Sequence, residues 1–262
     1  MKYFVVSDVH GFYTPLIKAL DAKGFNPDNP EHMLIVCGDL MDRGDEAIQL
    51  QEYIVQLMDR NKVILVRGNH EDLILEMADD FKNGSVASYH ITNGTLSTAI
   101  QLCGIKSPID ENFAQKLLDT PFCSKIIGAM KNYFETPNYI FVHGWIPCKT
   151  QSDMPSHYRH GRTYTYDPSW RSANKDDWAT ARWFNGMELS HKHKIIEPNK
   201  TIVCGHWNCS FGWSHYKQDR KEFPTSQKEK IESFQPYYDT GIIAIDACTA
   251  YSGFVNCIVL ED

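Results

Sequence analysis

Six residues of this 262-residue chain have the types and the settings to hold metal: Asp8, His10, Asp39, Asn69, His143 and His206. Each sits in a polar, Gly-containing cluster directly after a short apolar run. The clusters are Asp8-Val9-His10-Gly11, Gly38-Asp39-Leu40-Met41-Asp42-Arg43-Gly44, Arg67-Gly68-Asn69-His70-Glu71, His143-Gly144-Trp145 and Gly205-His206-Trp207. Two divalent cations need about five or six ligands each, solvent included, and a bridging carboxylate if they lie roughly 3.5–4 Å apart. Asp39 is the best bridge, since it ends a central apolar run with a partner cluster on either side. Asp8 and His10, two apart on an extended segment, complete one ion. Asn69, His143 and His206 complete the other. Oxygen and nitrogen donors without thiolate suit manganese, iron or zinc rather than calcium. A lone His after a strand is more often structural. Five clusters in equivalent places, four of them carrying His, turn that reading toward a two-metal centre.

These residues need elements that deliver them to one place. The runs Tyr3–Val6, Met33–Cys37, Val63–Val66, Tyr139–Val142 and Thr201–Cys204 are short, rich in Val and Ile and bounded by Gly, as buried strands are. Helical spacing follows three of them. Leu16, Ile17 and Leu20 share a face, with Pro15 at the start and Gly24 as a stop. Ala47, Leu50, Ile54, Leu57 and Met58 repeat the pattern after Asp45-Glu46, and Leu73, Ile74, Met77, Ala78 and Phe81 repeat it after Glu71-Asp72. Strand–loop–helix alternation predicts an α/β fold whose ligands gather at the strand carboxyl ends. Ile242–Ile245 and Phe254–Leu260 read as an antiparallel pair. The expected architecture is a four-layer α/β/β/α sandwich of two mixed sheets flanked by helices, with metal-binding loops at the strand ends. One domain spans 1–262. Within it, residues 146–200 carry four prolines and little periodicity and read as an inserted region covering the face where the clusters meet. All six tryptophans fall between 145 and 213, either to pack that region down or to stack on a substrate.

Composition narrows the class. A net charge of −7 and no basic stripe argue against a nucleic-acid partner. No apolar run is long enough to span a membrane, and the N-terminus reads as a strand rather than a leader, so a cytoplasmic chain is expected. The eight cysteines form no C-x-x-C pair and read as small buried hydrophobes.

The boxes Asp8-Val9-His10-Gly11, Gly38-Asp39-Leu40-Met41-Asp42-Arg43-Gly44 and Gly68-Asn69-His70-Glu71 resemble the three signatures of the calcineurin-like metallophosphoesterases. The Asp-Arg-Gly ending and the Asn-His-Glu box resemble the phosphoprotein phosphatase branch, and His143-Gly144 and Gly205-His206 resemble its later histidine boxes. Ser7 stands where Gly is commonest, Trp145 where a second Gly is usual and Trp207 where Thr is common. These departures, with the Asn93-Gly94 stretch and nearby Thr98, are closer to bacterial or phage serine/threonine phosphatases.

The resemblance implies attack on a phosphate monoester by a metal-bridging hydroxide. The leaving alkoxide then needs a proton. His70, adjacent to ligand Asn69, is assigned as general acid, with Asp42 holding and charging its imidazole. The plainer alternative pairs Asp42 with Arg43 or makes it a helix cap. Arg43 can grip phosphate oxygens in a bidentate contact that Lys would make poorly, and Asn69 lies where it also touches phosphate. The resemblance implies a second phosphate-binding arginine between the later boxes: Arg182 first, Arg171 second. Arg159 and Arg162 sit in a polar stretch and read as solvated, as do His157 and His160. His191 and His193 read as a solvated loop, and His215 as a possible site-lining group.

The leading expectation is therefore a dinuclear, most readily manganese-dependent, phosphoesterase acting on a phosphorylated protein or a small phosphoester. A hydrolase of dinucleoside polyphosphates is the alternative, and a phosphopeptide-binding protein without catalysis is a rival of another class. The oligomeric state is not legible.

Overall fold

The computed structural model describes residues 1–105, 112–151 and 163–262. The expectations for His157, Arg159, His160 and Arg162 lie outside them.

Side-chain alternation builds the layers. On β1 (Lys2–Val6) and β2 (His32–Cys37), Phe4, Val6, Leu34 and Val36 face the helices, while Val5, Ile35 and Cys37 face a second sheet. Both faces are apolar because both are buried, the pattern of a parallel sheet between two layers. β3 (Val63–Val66) extends this sheet in parallel, pairing Ile35 with Ile64. Helices α1 (Tyr13–Lys23), α2 (Ala47–Asp59) and α3 (Asn69–Lys82) cover its outer face through Leu16, Leu20, Leu50, Ile54, Ile74 and Met77.

The second sheet is built from β4 (Phe134–Glu135), β5 (Tyr139–Phe141), β8 (Thr201–Cys204), β9 (Tyr237–Asp239) and β10 (Ile242–Ala244), in the order β4-β5-β8-β10-β9. Its central three strands run parallel and its two edges antiparallel. A separate hairpin joins β6 (Cys148–Gln151) to β7 (Thr163–Tyr166). Phe141, Val203 and Ile243 meet Val5, Ile35 and Val66 between the sheets, whereas Ile140, Ile202 and Ile242 face outward. The outward face is closed by Trp145, Trp170 and Trp178, and by Met187 and Leu189 of the helix Gly186–Lys192. Three of the six tryptophans thus pack the outer core of the second sheet.

Two expectations change here. Ile242–Ile245 and Phe254–Leu260 do not pair with each other. β10 stays in the second sheet, while β11 (Ile258–Glu261) crosses to the first and pairs antiparallel with β1, Tyr3 opposite Leu260. The polar turn from Asp246 and the short helix Thr249–Ser252 carry the chain across, which a Gly-bounded hairpin reading could not anticipate. His191 lies in the helix Gly186–Lys192 and not in a loop, stacked on Tyr216 at 4.0 Å.

Arg171 is held inside the second sheet's edge. It donates to Glu135 at 2.9 and 2.6 Å and to Glu197 at 2.8 Å, and lies over the Trp170 ring. Its hydrogen bonds, with help from Lys200, hold the Glu135 carboxyl down at about 2, against an ordinary 4.5. A carboxyl depressed on folding stabilises above its unfolded pKa, and that stability fades as pH falls from there toward the folded value. Glu135 is about a quarter exposed, so screening trims the gain. Glu135→Gln should cost about 1–2 kcal/mol at neutral pH. In urea unfolding across pH 2–7 the gap to wild type should close below pH 4; a gap independent of pH would refute the ion-pair account.

Candidate dinuclear metal centre

The carboxyl ends of five parallel strands, three from the first sheet and two from the second, meet at one seam. β1 delivers Asp8 and His10, β2 Asp39, β3 Asn69, β5 His143 and β8 His206. All six sequence-derived metal ligands therefore converge. Five are buried and His206 is nearly so. Two groups share Asp39: His10, Asp39 and His70, and Asp39, His143 and His206, each with ligand atoms within 4.8 Å of one another. Asp8 joins the first position, its Oδ1 4.0 Å from His10 Nε2. Asn69 joins the second, its Oδ1 2.8 Å from His143 Nε2.

The ring orientations are fixed from behind. His10 Nδ1–H donates to the Met41 carbonyl at 2.9 Å and His143 Nδ1–H to the Cys37 carbonyl at 2.8 Å. The His206 ring donates to the Trp183 carbonyl. Such partners set the tautomer and aim the other nitrogen at a ligand. The inward atoms are then mostly acceptors facing acceptors: His143 Nε2 lies 3.3 Å from Asp39 Oδ2, and His10 Nε2 lies 3.9 Å from it. Such a set calls for a cation. Burial opposes charge on His143, yet Asp39 and Asp8 outweigh it and push its pKa up to about 10. A proton is the smallest cation that answers that field; a pair of metal ions fits the same donors.

The backbone is bent for the purpose. Asp8, His10, Asp39, Asp42, Arg43 and His206 all take positive φ, between 52° and 77°. Left-handed backbone at non-glycine residues costs about 1 kcal/mol or more each and gathers where function over-determines it. Gly205 permits the closest approach: a Cβ there would meet Ser7 Oγ and Asp8 Oδ2, the latter accepting from His206 N–H at 3.0 Å.

Asp42 belongs to neither ligand group among the described residues. Its Oδ2 accepts from His70 Nδ1–H at 2.7 Å and from the Thr95 hydroxyl at 2.8 Å, and its N–H donates to Thr98 Oγ1. That leaves His70 Nε2 facing the centre, 3.9 Å from Asp39 Oδ2 and 3.4 Å from the Arg43 guanidinium. Burial works against the His70 charge, but Asp39 and Asp42 prevail and raise its pKa. The alternative partners weighed for Asp42, Arg43 or a helix cap, are not the ones it takes. Arg43 itself is exposed and reaches inward over His70.

Two buried carboxylates have roles that the sequence reading does not assign. Glu71 accepts backbone N–H groups from Asp39 at 3.1 Å, Leu40 at 2.9 Å and Gly68 at 2.7 Å, tying the β2 loop to the start of α3. An acid three residues past the start of a helix is the available signal. Asp246, beyond β10, is buried, accepts from the Cys248 N–H at 2.6 Å and is pushed up by burial and by Asp8. No His accompanies it in sequence, so nothing local marks it as part of the centre. Glu71→Ala would orphan three buried donors and should lower stability by about 3–5 kcal/mol. Thermal unfolding measures this; a loss under about 1 kcal/mol would show that the loop holds itself.

Arg182 is 6% exposed, and its guanidinium donates to Asp72 at 2.8 Å and Asn132 at 2.7 Å. Asp72 also pairs with Arg67. The Arg182 Nε–H has no partner among the described residues. Arg171, the alternative, is committed to Glu135 and Glu197. His215 stacks on Phe211 at 4.1 Å, one ring removed from Trp207.

Two mixed sheets back to back, with histidines, carboxylates and an amide converging at their strand ends, define a metal-binding α/β sandwich. A family model described as calcineurin-like phosphoesterase matches residues 1–210, and the chain belongs to that family. Among curated relatives, a symmetrical bis(5'-nucleosyl)-tetraphosphatase of Buchnera aphidicola is 28% identical over 89 residues, 34% of this chain and 31% of that one. A serine/threonine-protein phosphatase 1 of Salmonella typhimurium is 33% identical over 91 residues, 35% of this chain and 38% of that one. The matched stretches thus span about a third of each relative. A cold-active protein-tyrosine phosphatase of a psychrophilic Shewanella shares the fold, with a TM-score of 0.51 at 17% identity, covering 100% of this chain and 75% of that one.

Proposed function

We propose that this chain hydrolyses phosphate monoesters in the manner of a serine/threonine protein phosphatase, using two divalent cations. The observation that carries this reading is the sharing of Asp39 by two ligand groups, with a His–Asp pair and an arginine directly beside them. Asp8, His10 and Asp39 would hold one ion; Asp39, Asn69, His143 and His206 the other. Bound there, the ions would supply Lewis acidity to the phosphoryl oxygens and acidify water for attack. Manganese fits this donor set first, then iron or zinc.

The remaining work falls to side chains. Arg43 draws the phosphate in with a planar, permanently charged fork. Asn69 orients an oxygen beside it. Arg182 supplies a second arm. His70 delivers a proton to the departing ester oxygen, and Asp42 keeps Nδ1 protonated so that Nε2 faces the substrate. Phosphoryl transfer asks for positioning and charge more than for covalent help, and these groups offer both.

The substrate is a phosphorylated protein or a small phosphoester, with no nucleic-acid or membrane partner. Among the described residues no helix is long and apolar enough to cross a membrane. All eight cysteines are free thiols, which supports the cytoplasm. The second reading, hydrolysis of dinucleoside polyphosphates, draws on the similarity to tetraphosphatases. Manganese-loaded protein should release phosphate from p-nitrophenyl phosphate and from a phosphoserine or phosphotyrosine peptide. Efficient turnover of diadenosine tetraphosphate alone would replace the protein-phosphatase reading with the second.

A further inference from the structure

The six tryptophans divide into two kinds. Trp145 and Trp170 are buried and donate their indole N–H to Ile195 and Glu197, and Trp178 is buried with them. Trp213 donates to the Gln235 carbonyl and carries the Arg220 guanidinium on its ring. Trp183 and Trp207 are different: they are 49% and 40% exposed. Their indole N–H groups engage no acceptor among the described residues.

These two are also the tryptophans at the metal centre. Trp183 meets the His206 ring edge to face at 5.6 Å, and its carbonyl orients that ring. Trp207 follows His206 in the chain. It is braced from behind by Phe211 at 5.3 Å, itself stacked on His215 at 4.1 Å. An exposed indole loses free energy to water, and a rigid aromatic with two torsions is cheap to present. One such ring lies against His206 and the other belongs to the next residue in the chain, while their four counterparts are packed or engaged; exposed indoles of this kind offer surface to a flat group. Neither ring carries a charge that would select a phosphate on its own.

We propose that Trp183 and Trp207 form a stacking subsite for an aromatic ring carried by the phosphoester substrate, an aryl group or a nucleobase. It rests on the phosphoester reading of the metal centre and narrows it: the preferred ester bears its ring close to the phosphorus. The covering role expected of residues 146–200 then contracts to Trp183, since their other tryptophans pack the core. Trp207 comes from the loop after β8.

The test is equilibrium binding of phosphonates, whose carbon–phosphorus bond is not hydrolysed, to the manganese-loaded full chain by calorimetry. Phenylphosphonate is compared with ethylphosphonate, and the phosphonate analogue of adenosine 5'-monophosphate, with methylene in place of the bridging ester oxygen, with the same analogue of ribose 5-phosphate. Wild type should prefer the ring-bearing member of at least one pair by about tenfold or more. Trp183→Leu combined with Trp207→Leu should bring that ratio to about one, and the Phe pair of substitutions should restore most of it. Preference within the phenyl pair alone marks an aryl group, and within the adenosine pair alone a nucleobase; both support the subsite. Absence of preference in wild type overturns it, as does a preference that survives in the Leu variant. Binding is read without turnover, so the two proposals fail separately. A chain that keeps the ring preference yet releases no phosphate from any ester loses the function reading alone. A hydrolase without the preference loses the subsite alone.

Discussion

Asp39→Asn is expected to empty both metal positions at once and to lower phosphoester turnover by about a thousandfold or more. Asp39 is the one side chain common to both ligand groups. Burial raises its pKa, but His143, His70 and His10 surround it and bring it well below the ordinary value, so it is a full carboxylate. An amide of the same shape keeps the hydrogen bond to the His70 N–H at 3.0 Å and forfeits the charge. The fold should therefore survive while metal affinity falls. Elemental analysis of protein dialysed against limiting manganese reads the occupancy, with far-UV circular dichroism as the control for folding. Two ions retained by the variant would remove Asp39 from the bridging position. Loss of one ion alone would assign it to that site only.

The second large effect is expected at His70. His70→Ala should slow hydrolysis of alkyl phosphates such as phosphoserine by about 10²–10⁴-fold, the range for a positioned general acid. Activated aryl esters, whose leaving groups depart with little protonation, should lose about tenfold or less. Asp42→Asn should follow the same split in weaker form, since the carboxylate acts through the His70 ring at 2.7 Å. Single-turnover rates across a series of leaving groups give the comparison directly. Equal losses on alkyl and aryl esters would point instead to His70 as a ligand of the first ion, which its 3.9 Å distance to Asp39 also allows.

The strand-end clusters were legible because each couples a hydrophobic run of period two to an abrupt polar break, and both signals are local. Asp8, Asp39, Asn69, His143 and His206 all sit two or three residues past a strand, so the strands point to them. The partition of Asp39 from Asp42, three residues apart on one loop, followed from a surplus of other ligands rather than from spacing. What stayed hidden depends on long-range packing. Glu71 acts by accepting from backbone 31 and 32 residues away, and its place in the first turn of α3 marks a local cap but not those distant donors. Asp246 lacks a His companion. Arg182 has the right place in the chain, but its ion pair with Asp72 spans 110 residues and is set by how the fourth layer seats against α3. The destination of β11 in the first sheet is likewise a topological fact, invisible to a local reading of Ile258–Leu260.

The seam between the sheets has a consequence for how long the protein survives in a cell. Asp39 follows a strand of the first sheet and His206 a strand of the second, and both belong to one ligand group, so an ion held there would act as a reversible staple across much of the chain. Closing so long a loop restricts the unfolded chain far more than it restricts the native one. Any ion bound only by the folded form adds about 2.7 kcal/mol of stability at a hundred times its dissociation constant. The melting temperature should then climb with free manganese and fall with chelator, and resistance to proteases should track it. Metal scarcity would act on this chain twice, silencing the site and shortening the life of the molecule that carries it.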